Sequence, residues 1–347
     1  MKNKLIYVII FLFVILIGIT IYKYKVYDKN ENKHYFIPMM PSNIRLPRVK
    51  VTSDVKEEEK DNTVDENIRY YGSNPNNYVS FNNELWRIIG VFGNNVKLVR
   101  KDILGSLSWD SSEESVNAGA GINQWGESTY EDGSTYEGAD LQVYLNKMYY
   151  GGETVTCYGS FYNKTKTCPT GTIDETSKSF IDNHSWNTGA IKIAESTDTL
   201  LFYQAERGMV SGKSSCSDGD NCNDTVERTT TWTGYVGLPY ITDYAYASSE
   251  NDCNTKIDVS SAFTYKCKNN NWMHYGSTPN DATRMLSPYA NPARASDVWN
   301  VYGSGDASSS FASNTVSAFP TIYLKSNILI ESGNGTSSNP YILKLSN

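Results

Sequence analysis

The sequence predicts an α+β, strand-dominated extracellular domain carried behind one N-terminal transmembrane helix. Three observations point there. A single long apolar run stands at the N-terminus. The chain holds 26 Tyr and 7 Trp, with abundant Asn, Ser, Thr and Gly beyond that run, which suits strands joined by long polar loops. Its six cysteines fall into three local couples, the mark of disulfides in an oxidising compartment.

The apolar run is LIYVIIFLFVILIGITI, Leu5 to Ile21, bounded by Lys2 and Lys4 before and by Lys23 and Lys25 after. Its 17 residues lie at the short end of a membrane span, and Tyr22 and Tyr24 extend it at the interface. It exceeds a signal-peptide core, and neither an A-x-A-like site nor a lipoprotein cysteine follows it, so residues 1–25 read as an uncleaved signal anchor. Flanking charge leaves the orientation open. The cysteines resolve it, placing the N-terminus inside and the bulk of the chain outside a bacterial cell membrane.

Residues 26–67 read as a stalk. They contain Pro38, Pro41 and Pro47 and the solvated charge run Asp54 to Asp61, with little periodic apolar pattern. Residues 68–347 form the expected domain. Tyr78–Phe81, Glu84–Phe92 and Val96–Arg100 read as an antiparallel meander around Asn82-Asn83 and Gly93-Asn94-Asn95. A polar stretch, Ser106 to Gly138, leads to Asp140–Tyr150, where Leu141, Tyr144, Leu145 and Met148 form a helical stripe with its acid at the positive end. Asp174 to Asp182 reads as a short helix capped by Asp174. A strand-like run from Thr229 precedes a capped helix start at Thr242-Asp243. Strands at Ala318–Lys325, Ile328–Glu331 and Tyr341–Leu345 close the chain, with Pro320 marking a strand start.

Cys157, Cys168, Cys216, Cys222, Cys253 and Cys267 include no C-x-x-C and no histidine at ligand spacing, so disulfides are expected over zinc. Nearest-neighbour pairing is favoured: 157–168, 216–222 and 253–267. The formal charge is −7. Taking the four anchor lysines from the 31 basic residues leaves 27 against 38 acidic, a body of −11. Such an acidic surface argues against a nucleic-acid partner, whose binding rests on Lys and Arg at phosphates.

Catalytic signatures are sparse. The histidines are His34, His184 and His274, and no G-x-S-x-G, H-E-x-x-H, phosphate loop or dinucleotide fingerprint occurs. No catalytic residue, metal or cofactor is therefore expected. Asp218 to Asp224 alternates oxygen ligands like a calcium loop, but Cys222 stands at the third ligand position, so a constrained turn is preferred. Glu127, Glu131, Asp132, Glu137 and Asp140 supply candidates for a carboxylate pair of the kind glycoside hydrolysis uses. With Trp125, Tyr130 and Tyr136 the same run could instead form a wet sugar-binding groove. Trp86 and Trp232, within strand-like runs, read as core. Trp272 and Trp299, in polar stretches, read as ligand candidates.

The ordered segments NNELWRIIGVF (82–92), YITDYAYAS (240–248), NNWM (270–273), RMLSPYA (284–290), SDVWNVYGSG (296–305), AFPTIYLKSNI (318–328) and the ending SGNGTSSNPYIL (332–343) resemble a family of uncharacterised exported surface proteins of Firmicutes. A Thr-Asp helix start, a Trp followed by a Ser-Pro block, a Val-x-x-Val pair and a terminal Pro-x-x-x-Leu strand resemble, more distantly, the C-type-lectin-like and formylglycine-generating-enzyme-like arrangement. That resemblance implies a C-type-lectin-like ectodomain with segments 281–286 and 296–301 in a loop-rich, ligand-holding half. With Trp272 from its polar stretch, it makes Asp281, Arg284, Trp299 and Asn300 the candidate ligand residues. The sequence departs from calcium-dependent lectins, since no acid precedes Pro279 and Val301, not Asp, follows Asn300. It also lacks the paired cysteines of the formylglycine-type enzymes. The expected function is a surface binding module, adhesin- or lectin-like, for a glycan or a surface protein. A cell-wall hydrolase and a ligand-free envelope protein are the alternatives.

Overall fold

The computed structural model describes residues 68–111, 121–129, 133, 135–160, 164–190, 199–206, 231–249, 268–276, 278, 281–289 and 296–346. The expected anchor, the stalk and Cys216, Cys222, Cys253 and Cys267 lie outside these. Among the described residues no helix is long and apolar enough to cross a membrane.

In chain order the elements are strands β1 (Ile68–Arg69), β2 (Tyr78–Phe81), β3 (Glu84–Phe92), β4 (Asn95–Arg100), β5 (Gly105–Ser108), β6 (Ser128–Thr129) and β7 (Thr135–Tyr136). Helix α1 (Asp140–Val143) follows and widens into a π-helical segment, Tyr144–Tyr150. Then come β8 (Cys157–Tyr158), β9 (Thr165–Lys166), α2 (Glu175–Lys178), β10 (His184–Asn187), α3 (Thr199–Glu206), β11 (Thr231–Gly234), β12 (Val236–Gly237) and α4 (Ile241–Tyr246). The last part is all strand: β13 (Ala282–Pro288), β14 (Asp297–Tyr302), β15 (Ala307–Phe311), β16 (Thr315–Ala318), β17 (Thr321–Tyr323), β18 (Ile328–Ser332) and β19 (Tyr341–Leu345).

Two larger sheets carry the fold. The first runs β12-β17-β4-β3-β2-β19-β18, with β1 also on β3, and the second runs β15-β14-β13-β16-β5. The expected meander forms the centre of the first sheet. Asn82 and Asn83 sit at φ 56 and 58, the left-handed pair that a two-residue hairpin of right-handed twist requires and Asn tolerates. The pairing of β3 with β4 slips between Ile88 and Gly90, so Lys97 stands opposite Gly90. That bulge leaves both Ile88 and Ile89 buried. Pro320 falls immediately before β17, where no ladder N–H is lost.

The helices also follow their local signals, with one shift. Asp174 accepts the Ser177 N–H at 2.7 Å and caps α2. Asp243 accepts the Tyr240 N–H at 2.9 Å and opens α4. The expected stripe ending at Met148 ends instead at Tyr149, which is fully buried while Met148 is half-exposed. The Gly151 N–H bonds back five residues to Asn146 O at 3.1 Å, and the wider turn carries the buried face one position further. Asn146 has a structural task there: its side chain meets Tyr235 N, Val236 N and Val236 O at 2.9 to 3.1 Å and completes the edge of β12.

All seven tryptophans are buried. Trp109, Trp125 and Trp232 form one cluster, with centroids 4.6 and 6.0 Å apart. Cys157 and Cys168 form the expected disulfide, closing a loop of sequence separation 11.

Candidate functional site

The five ligand candidates are placed as follows. Segments 281–286 and 296–301, expected in a loop-rich half, fall almost wholly within β13 and β14, paired strands inside the second sheet. Their polar residues disguised the strand pattern. Arg284 and Asn300 are register partners, both 0% exposed. Arg284 donates to Asn314 O at 2.8 Å and to Phe311 O at 3.2 Å, and Asn300 reaches Ser310 Oγ at 2.9 Å. Burial pulls the Arg284 guanidinium down to about 9, with Tyr302 and Asp297 acting the other way. Trp299 leaves the strand on the face opposite Asn300 and packs on Phe202 and Tyr289 at 5.1 and 5.2 Å.

Trp272 belongs to a different cluster. Its indole donates to Tyr70 O at 2.8 Å, and the Arg87 guanidinium lies 4.4 Å from its ring centre and 4.3 Å from that of Tyr78. Asp281 alone of the five is exposed. It closes a turn by accepting the Thr278 N–H at 2.8 Å. The structure thus brings Arg284 and Asn300 together, in the interior, and separates the other three.

The two described histidines are likewise embedded. His184 faces Asp182 at 2.9 Å and stacks on Tyr323 at 3.7 Å. Burial lowers its pKa, against the pull of Asp182. Among the described residues no group of three His, Cys, Asp or Glu side chains comes within reach of a common metal ion.

An open cleft of about 470 Å³ lies over the β6–β7 hairpin. Glu127, Ser128 and Thr129 line one side, Thr135, Tyr136 and Glu137 the other, and Lys147 enters from the π-helical segment. Three of the residues named from sequence for a sugar groove or carboxylate pair, Glu127, Tyr136 and Glu137, therefore share one concave surface. Trp125 does not line it. Tyr130, Glu131 and Asp132 lie outside the described residues.

The cleft rests on a buried carboxylate arrangement. Tyr136 donates its hydroxyl to Asp110, which is 1% exposed. Asp140, one of the acids offered from sequence for a carboxylate pair, accepts both the N–H and the hydroxyl of Ser111 at 2.8 Å. Burial pushes the Asp140 carboxyl up to about 6, and the neighbouring Asp110 charge adds to this. Sequence reasoning missed Asp110 and Lys147. Only their chain proximity to Trp109 and to the helix stripe could have flagged them.

Chemically the cleft offers two carboxylates, three hydroxyls, one ammonium and a phenol ring. Glu137 and Lys147 pair at 3.2 Å with both side chains largely in water, so the pair exchanges readily for ligand contacts. No family model, curated protein or solved structure matches the chain.

Proposed function

We propose that this chain is a surface binding module, held at a bacterial membrane by residues 1–25, that takes a glycan in the cleft over β6–β7. One observation carries the reading: Glu127, Tyr136, Glu137 and Lys147 line one open concavity together with Ser128, Thr129 and Thr135. Carboxylates accept from sugar hydroxyls, the ammonium donates, and the phenol offers an apolar face to a pyranose ring. The disulfide at Cys157–Cys168 favours an exterior setting. A C-type-lectin-like architecture, expected from the order of segments, belongs to this proposal, with the ligand held at the hairpin and not at β13–β14.

The test is a bacterial-glycan array probed with the full chain in detergent, beside Tyr136→Ala and Glu137→Gln. Retained glycans for the native chain and loss for both variants support the reading. Equal retention by all three proteins overturns it.

A second reading, a hydrolase using two carboxylates, is favoured by the raised Asp140 carboxyl next to Asp110. Hydrolysis of peptidoglycan fragments by the native chain, abolished in a folded Asp140→Asn, would select it over binding alone.

A further inference from the structure

The centre of the first sheet holds a charged pair in an aromatic enclosure. Lys97 lies on β4, hydrogen-bonded to β3 on one side and β17 on the other, and is 0% exposed. Its Nζ stands 2.5 Å from Oδ2 of Asp243, which is 1% exposed on α4. Four rings surround the ammonium: Tyr240 at 3.9 Å, Tyr323 at 5.2 Å, Phe92 at 5.4 Å and Trp186 at 5.6 Å. Asp243 Oδ2 also accepts the Tyr240 N–H at 2.9 Å, whereas Oδ1 meets no hydrogen-bond partner among the described residues.

Such a pair is costly to bury as ions and is left with an unsatisfied carboxylate oxygen. Condensation removes both charges and that oxygen together. The two groups are also held against each other by rigid elements, the arrangement in which an intramolecular reaction gains most from fixed orientation. Lys97 is fixed by two strand ladders, and Asp243 by its capping bond.

We infer that Lys97 and Asp243 join in an intramolecular isopeptide bond, tying β4, an interior strand of the first sheet, to α4. A proton passes from the ammonium to the carboxylate across the short contact. The neutral amine then attacks Cγ. The Nζ–Cγ bond forms, the Cγ–Oδ1 bond breaks, and Oδ1 leaves as water, taking the proton that Oδ2 gives back in the tetrahedral intermediate and a second proton from nitrogen. The remaining oxygen becomes the amide carbonyl and keeps the Tyr240 N–H. No oxidant, metal or co-substrate enters the balance.

The test is peptide mapping by tandem mass spectrometry on the full chain, reduced, alkylated and denatured. The expected result is a branched peptide joining the Lys97 and Asp243 segments, lighter by one water than their sum, with no tryptic cleavage after Lys97. The denatured chain should also migrate differently from Lys97→Arg and Asp243→Ala, which restore the missing water. Linear peptides with cleavage after Lys97 overturn the inference and leave an ion pair only. A water loss mapped instead to a succinimide at Asp132-Gly133 or Asp218-Gly219 overturns it equally. The native chain alone decides, so a variant that fails to fold leaves the test intact.

Discussion

Replacing Asp140 by Asn tests the electrostatics beneath the cleft. Burial and the charge of Asp110 raise this carboxyl from 3.8 to about 6, while the two Ser111 contacts pull it down. The folded protein therefore binds the proton more tightly than the unfolded chain does. The stabilising contribution is complete below about pH 4 and is lost as pH rises through about 6. At about 1.4 kcal/mol per unit, a shift of roughly two units corresponds to about 3 kcal/mol. Asparagine keeps an oxygen for the Ser111 N–H and hydroxyl, both of which now reach the same atom, Oδ2. The neutral amide accepts more weakly than a carboxylate, so the net gain expected near pH 7.5 is about 2 kcal/mol. Urea unfolding of the full chain in detergent, followed by tryptophan fluorescence from pH 4 to 7.5, measures this. The native protein should lose stability across the range relative to Asp140→Asn, and the two should converge at the acid end. Parallel pH profiles, or a variant less stable than the native chain at pH 7.5, would refute the reasoning.

Three further perturbations have defined outcomes. Asn77→Ala removes the acceptor of the Arg87 Nε–H at 2.8 Å and the donor to Ile88 O at 2.8 Å, both buried. It should cost about 2–4 kcal/mol in chemical unfolding, and a loss under about 1 kcal/mol would show that Trp272 and Tyr78 hold the guanidinium unaided. The double change Cys157→Ala and Cys168→Ala opens the loop of separation 11 and should cost about 2–3 kcal/mol, with protease sensitivity appearing near residues 157–168. Unchanged stability would mean that β8–β9 packing alone sets the loop. Gly303→Ala places a Cβ 1.8 Å from Thr278 O, against the turn that Asp281 closes. The overpacking should cost about 1–3 kcal/mol or more and lower the melting temperature, and a neutral result would mean the turn yields.

The meander, the Asp174 cap and the 157–168 bridge were legible because each rests on local chemistry. Asn82-Asn83 supplies left-handed residues, Asp174 supplies a cap, and close cysteines in a turn-rich stretch need no distant partner. The π-helical widening at Tyr144–Tyr150 was not legible. It depends on Asn146 turning aside to satisfy the β12 edge, a contact across some 90 residues of chain. Strands β13 and β14 were hidden for a related reason. Their buried faces carry Arg284 and Asn300, which read as surface residues until their partners on β15 and beyond are known. The same holds for Lys97, an ordinary strand lysine by sequence, whose meaning comes from Asp243 and four rings drawn from separate elements. The cleft was half legible. Glu127, Tyr136 and Glu137 stood out as a polar-aromatic run, but Lys147 enters only because the π-helical segment brings it to the cleft.

The most direct test of the binding proposal is hydrogen-exchange mass spectrometry on the full chain with the glycan best retained on the array. Protection confined to residues 127–137 and the Lys147 segment is the predicted result. Protection centred on residues 281–300, with the hairpin unchanged, would contradict the account and return the ligand to the strands that sequence alone had favoured.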